Sequence, residues 1–106
     1  MIIFIDIDLT LCYTPTNQDG TPNYEEATPI QRSIDIVNRI FQQGHTVVLW
    51  TARGATTKVD YRDLTEGQLK QWGCKYSDLR LDKPYYDIFV DDKAHNSIDK
   101  LAEILG

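Results

Sequence analysis

The chain has only two cysteines, Cys12 and Cys74, and only two histidines, His45 and His95. Neither set has the short spacing by which Cys and His hold zinc, so no centre of that kind is expected. Two widely separated thiols also rule out a small disulfide-built scaffold and fit a reduced, cytoplasmic setting. No apolar run approaches the roughly 20 residues that a membrane-crossing helix needs. The first apolar run is short, has no basic leader and runs straight into Asp6 and Asp8, so it is not expected to be a secretory signal. A GxxxxGK[ST] loop is missing, which removes the P-loop kinases. Basic residues are in the minority, 11 Lys and Arg against 16 Asp and Glu, for a formal net charge of −5. That balance argues against avid binding to nucleic acid or to an anionic membrane surface.

What is present reads as one α/β domain over residues 1–106, with 42% hydrophobic and 25% charged residues. Ile2–Ile5 has the uninterrupted apolar pattern of a strand buried on both faces. Cys12–Thr28 is polar, holds Pro15, Gly20 and Pro22, and reads as a long loop or flap beside the end of that strand. A helix follows, with Thr28 as N-cap, Pro29 at its first position, Ile30, Ile34, Val37 and Phe41 on one face, and Gly44 as the stop. Thr46–Trp50 is a second apolar strand. A weaker helix falls within Asp60–Trp72, with Leu64, Leu69 and Trp72 inward and Gly73 ending it. Short strands are expected near Leu79–Leu81 and at Ile88-Phe89-Val90, then a last helix from about Asn96 to Leu105. Alternation of this kind implies right-handed crossovers and a doubly wound, Rossmann-like parallel sheet of about four to five strands.

In such a sheet the strand C-terminal ends share one edge, where ligands bind. Each polar oddity of the sequence stands just past a strand: Asp6 and Asp8, Thr51 with Ala52 and Arg53, Lys83, and Asp91 with Asp92. Several carboxylates on one rim repel one another unless a cation sits among them, and oxygen-only ligation suits Mg²⁺. A hydroxyl and an ammonium beside it would hold phosphoryl oxygens. Asp6 is then the candidate nucleophile toward phosphorus and Asp8 the candidate acid and base. Arg53 reads equally as a substrate-phosphate contact or as the partner of a surface acid. Tyr85, Tyr86, Trp50 and Trp72 read as packing residues, and neither histidine has a ligand partner.

Taken in order, "DIDLT" after an apolar strand, "VVLWT", "DKP" and "IFVDD" resemble the four motifs of the haloacid dehalogenase (HAD) superfamily, spanning Asp6 to Asp92. The resemblance implies Asp6 as nucleophile and Mg²⁺ ligand, and Asp8 as general acid/base that also ligates through its backbone carbonyl. It implies Thr51 and Lys83 as phosphate-binding catalytic residues, with Ala52 and Arg53 beside them on the substrate. Asp91 and Asp92 would complete the metal site, Asp91 as the direct ligand. The family's phosphatases carry an aspartate two residues after the nucleophile, as here, and its dehalogenases do not. No insertion is long enough for a cap domain, so a capless phosphatase is implied, with 12–28 as the local lid. "WTARG" and "DKPYYDIFVDDKAHN" further resemble small bacterial and phage members, some associated with capsular polysaccharide biosynthesis. Others resemble the phosphatase half of polynucleotide kinase-phosphatases.

The expected substrate is a small phosphorylated sugar or metabolite, or a capsular polysaccharide precursor, with a nucleotide or polynucleotide end as the alternative. A second copy of the chain covering the open rim is a further expectation. Two non-enzymatic classes compete: a receiver-like signalling domain, whose motif order differs, and a degenerate phosphate-binding domain that kept the residues without the activity.

Overall fold

The computed structural model describes residues 1–105. Three parallel strands, β1 (Ile2–Ile5), β4 (Thr46–Trp50) and β5 (Asp78–Arg80), form a sheet in the order β1-β4-β5. Two short strands, β2 (Cys12–Tyr13) and β3 (Thr28–Pro29), make a separate antiparallel pair, and three helices complete the fold: α1 (Gln31–Gln42), α2 (Arg62–Gln71) and α3 (Ile98–Leu105).

β4 is the central strand, and its sequence shows why. Val47, Val48 and Leu49 are consecutive, β-branched or aliphatic, and all buried, so both faces of the strand are covered. Ile5 pairs with Leu49, and Trp50 pairs with Arg80, which brings the three C-terminal ends level. α1 follows the period read from the sequence, burying Ile34, Ile36, Val37 and Ile40, and Gly44 leaves it at φ +95, a conformation that a Cβ would strain. The core joins Ile5, Ile7 and Leu11 to Ile34, Val37 and Ile40 of α1, Val47 and Leu49 of β4, and Leu69 of α2. α3 packs on α1, where Arg32 pairs with Asp99. Both cysteines are free and buried, and burial pushes the Cys74 thiol up to about 11.

Three local expectations are corrected. β1 is an edge strand rather than a central one, so Ile2 and Phe4 stay exposed while Ile5 alone is buried. Thr28 and Pro29 do not cap α1; they pair with Tyr13 and Cys12, and the helix begins at Gln31 after Ile30, which offers no side-chain cap. A Pro that sits at the rim of a two-stranded ladder loses nothing there, because its missing N–H faces away from the partner. Ile88-Phe89-Val90 joins no ladder: it lies in an irregular stretch between Leu81 and Ser97, with Ile88 and Val90 almost fully exposed. The fourth and fifth strands of the expected sheet are therefore absent among the described residues, while the parallel α/β sheet itself is present. No helix among those residues is long and apolar enough to cross a membrane.

Candidate active site

The parallel register sets Asp6 one residue past β1, Thr51 one past β4 and Lys83 three past β5, so three segments converge on one edge of the sheet. Backbone hydrogen bonds lace the second and third together: Thr51 N–H donates to the Arg80 carbonyl at 2.9 Å, and Lys83 N–H donates to the Thr51 carbonyl at 3.3 Å. Lys83 then reaches across, its Nζ 3.6 Å from Asp6 Oδ1. The ammonium also lies 5.7 Å from the ring centre of Trp50 and 5.2 Å from that of Tyr86, so aromatic faces and one carboxylate hold it.

Asp6 is half-shielded from water. Burial pushes its carboxyl above the usual carboxylate range, and the Asp8 charge adds to that rise; the Lys83 ammonium and the Ile7 backbone N–H pull it back. The result is an anion short of positive charge, next to a cation that can also serve a ligand.

Asp8 sits two residues on, just before a sharp turn in which Leu9 takes φ +65 and its N–H donates to the Cys12 carbonyl at 2.8 Å. Its carboxylate is gripped from three directions. Arg53 Nε donates to Oδ2 at 3.0 Å and Nη2 to Oδ1 at 2.9 Å, a two-point fork, and the Thr14 hydroxyl donates to Oδ1 at 2.5 Å. The Cys12 thiol adds a weak contact to Oδ1 at 3.6 Å.

Arg53 reaches Asp8 because the chain turns inward directly after β4. The Arg53 N–H donates to the Thr51 hydroxyl oxygen at 3.1 Å, which closes a tight turn and leaves the Thr51 hydroxyl proton to donate elsewhere. Gly54, at φ +82, continues that turn where a Cβ would meet the Val59 carbonyl oxygen at 2.2 Å. The Arg53 guanidinium is completely buried. Its Nη1 donates to the Thr65 hydroxyl at 3.1 Å and to Gln68 Oε1 at 2.6 Å, both on α2, and its plane lies 4.8 Å from the Tyr24 ring centre.

Every residue expected at the site is thus located. Asp6, Asp8, Thr51 and Lys83 stand together at the C-terminal edge, with Ala52 partly exposed beside them. Arg53 is at the same edge but turned into the protein: of its two readings the pairing with an acid is the one seen, and its donors go to Asp8, Thr65 and Gln68. Asp91 and Asp92 are not gathered with the other acids. They end the exposed, unpaired stretch after Val90, and no group of three or more His, Cys, Asp or Glu side chains arranged for a metal ion is found among the described residues. The donor chemistry suits Mg²⁺ in kind, since Asp6 and the Asp8 carbonyl are hard oxygen ligands, but the full set is not assembled in this arrangement.

Sequence reasoning missed Thr14, Tyr24, Thr65 and Gln68. A signal existed for two of them: Thr65 and Gln68 stand three apart on the face of α2 that also carries Leu69, and polar residues at inward spacing mark a buried polar partner. Beside the cluster opens a cleft of about 590 Å³, lined by Arg53, Gly54, Lys58, Tyr61, Lys83 and Tyr85 among others.

Fold and site together define an α/β protein with a carboxylate–ammonium pair and a buried carboxylate–guanidinium pair at the ligand-binding edge of a parallel sheet. No family model matches the chain, and no curated protein matches it. The crystal structure of a structural-genomics target from Vibrio cholerae is similar, with a TM-score of 0.75 over 99% of this chain and 98% of that one, at 21% sequence identity. At that identity the likeness carries the fold.

Proposed function

We propose that the chain is a Mg²⁺-dependent phosphatase of the HAD type, capless, working through a phosphoryl group carried on Asp6. The observation that carries this reading is the Asp6–Lys83 contact of 3.6 Å at the sheet edge, with Asp8 two residues further on held by Arg53. A carboxylate poised as nucleophile needs a cation that will also accept the incoming phosphate, and Lys83 supplies it.

In the first step an Asp6 oxygen attacks phosphorus while the bond to the ester oxygen breaks, and Asp8 gives that departing oxygen its proton. In the second step water attacks the aspartyl-phosphate, Asp8 takes the water proton, and the P–O bond to Asp6 breaks to release phosphate. Lys83 balances charge on the transferred group, and the Thr51 hydroxyl proton donates to one of its oxygens. Mg²⁺ would be held by the Asp6 carboxylate and the Asp8 carbonyl, with Asp91 and Asp92 as the remaining acids of the set. When bound, the ion supplies positive charge to the phosphoryl oxygens.

The cleft of about 590 Å³ supports a small phosphorylated sugar or metabolite as substrate, because that volume lies within the usual range for small-molecule sites. Lys58 and Tyr85 on its wall offer a cation and an aromatic face to the leaving group. The reading is tested by following phosphate release from an aryl phosphate. Release with Mg²⁺ present that stops on adding EDTA and returns with excess Mg²⁺ is the expected result. Release indifferent to EDTA removes the metal from the account, and no release from aryl, sugar or nucleotide phosphates removes the phosphatase.

A further inference from the structure

A buried arginine is a costly residue to keep, and here every one of its donors has been given a partner. Nε and Nη2 serve the two oxygens of Asp8, Nη1 serves Thr65 and Gln68, and the last Nη2 proton points to Cys12 Sγ at 4.0 Å. No buried side-chain nitrogen or oxygen among the described residues lacks a hydrogen-bond partner, so the arrangement is complete. Three separate parts of the fold contribute to it: the turn after β4, the inner face of α2, and the flap between Cys12 and Thr28. The flap enters through the Thr14 hydroxyl on Asp8 and through Tyr24, whose ring lies against the guanidinium and whose carbonyl accepts from Gln68 Nε2 at 2.6 Å.

We propose that Arg53 is the positioning residue for Asp8: its fork, itself fixed by Thr65 and Gln68, sets the carboxylate in the one orientation from which it exchanges a proton with the phosphoester, and Arg53 never touches the phosphate. This inference rests on the phosphatase reading. The geometry distinguishes the two Asp8 oxygens. Oδ1 accepts from Nη2, Thr14 and Cys12 and is fully engaged, whereas Oδ2 accepts only from Nε and keeps a lone pair. Oδ2 is therefore the oxygen with room for the transferable proton; with that proton in place the carboxyl is neutral and still accepts both Arg53 hydrogen bonds, and with it gone the ion pair is restored. A lysine in place of Arg53 would keep the charge but could not grip both oxygens in one plane.

The test separates positioning from bulk structural damage by varying the leaving group. A dinitrophenyl phosphate departs without needing a proton, whereas an alkyl phosphate such as glycerol phosphate depends on one. For Arg53→Lys, kcat/KM toward glycerol phosphate is expected to fall by about 100-fold, the low end of what general acid catalysis contributes, while kcat/KM toward dinitrophenyl phosphate stays within about threefold. Gln68→Met, which removes the 2.6 Å acceptor from Nη1, is expected to give the same bias on a smaller scale and decides the matter if Arg53→Lys does not fold. Equal losses on both substrates, or none on either, would overturn the positioning role. A wild-type chain inert toward both would overturn the phosphatase reading and this inference with it.

Discussion

Asp6→Asn is expected to lower phosphate release at least about a thousandfold, because an amide can neither attack phosphorus nor leave again. The same substitution is expected to make the fold more stable at neutral pH. The sign follows from the carboxyl's raised value, set first by burial and only partly offset by Lys83. A group whose value is higher in the folded chain than in the unfolded one, about 3.9 for Asp, contributes stability that is present below that unfolded value and lost as pH rises through the folded value. On that sign, ionised Asp6 is expected to weaken the fold in neutral solution. Thermal unfolding across pH gives the check: the advantage of Asp6→Asn should vanish below the unfolded value and appear as pH rises through the folded one. A variant less stable than wild type at pH 7 would mean that the Lys83 contact outweighs burial.

Asp8 is expected to behave in the opposite way. Asp8→Ala leaves the Arg53 guanidinium fully buried without its counter-charge, a defect of about 3–5 kcal/mol. In a domain of this size that corresponds to a fall in melting temperature of about 15–30 °C, a large share of the whole stability. The double variant Asp8→Ala/Arg53→Met removes the stranded charge as well and should recover at least about half of the loss. Urea unfolding of the four proteins forms a double-mutant cycle. Losses that simply add would show that the two side chains do not hold each other. The two aspartates are thus expected to act oppositely on stability: ionised Asp6 weakens the fold, and Asp8 holds it through Arg53.

Much of this arrangement could be read in the sequence where period or a single residue type decides the outcome. Thr46–Trp50 was bounded as the structure has it, because five consecutive strand formers leave no helical alternative, and α1 followed from the spacing of Ile34, Val37 and Phe41 with Gly44 behind it. The order of acids, Thr and Lys after successive strands also located Asp6, Asp8, Thr51 and Lys83 at one edge. What failed depended on partners that local pattern does not encode. An apolar run reads alike whether its strand is central, as β4 is, at an edge, as β1 is, or unpaired, as Ile88–Val90 is. Thr28-Pro29 fits a helix start and a short ladder equally, and pairing with Cys12 and Tyr13 decides it. The sequence leaves the direction of Arg53 undecided, since it turns on Thr65 and Gln68, more than ten residues away on another element.

The central claim is that Asp6 carries the phosphoryl group. Rapid quenching of the protein during turnover of an aryl phosphate, followed by borohydride reduction and peptide mass spectrometry, reads this directly. The account predicts that the aspartyl-phosphate, seen as its reduced product, is confined to the Asp6 side chain and accumulates further when Asp8 is replaced by Asn. Modification of any other residue, or undiminished phosphate release by Asp6→Asn with no trapped species, would contradict it.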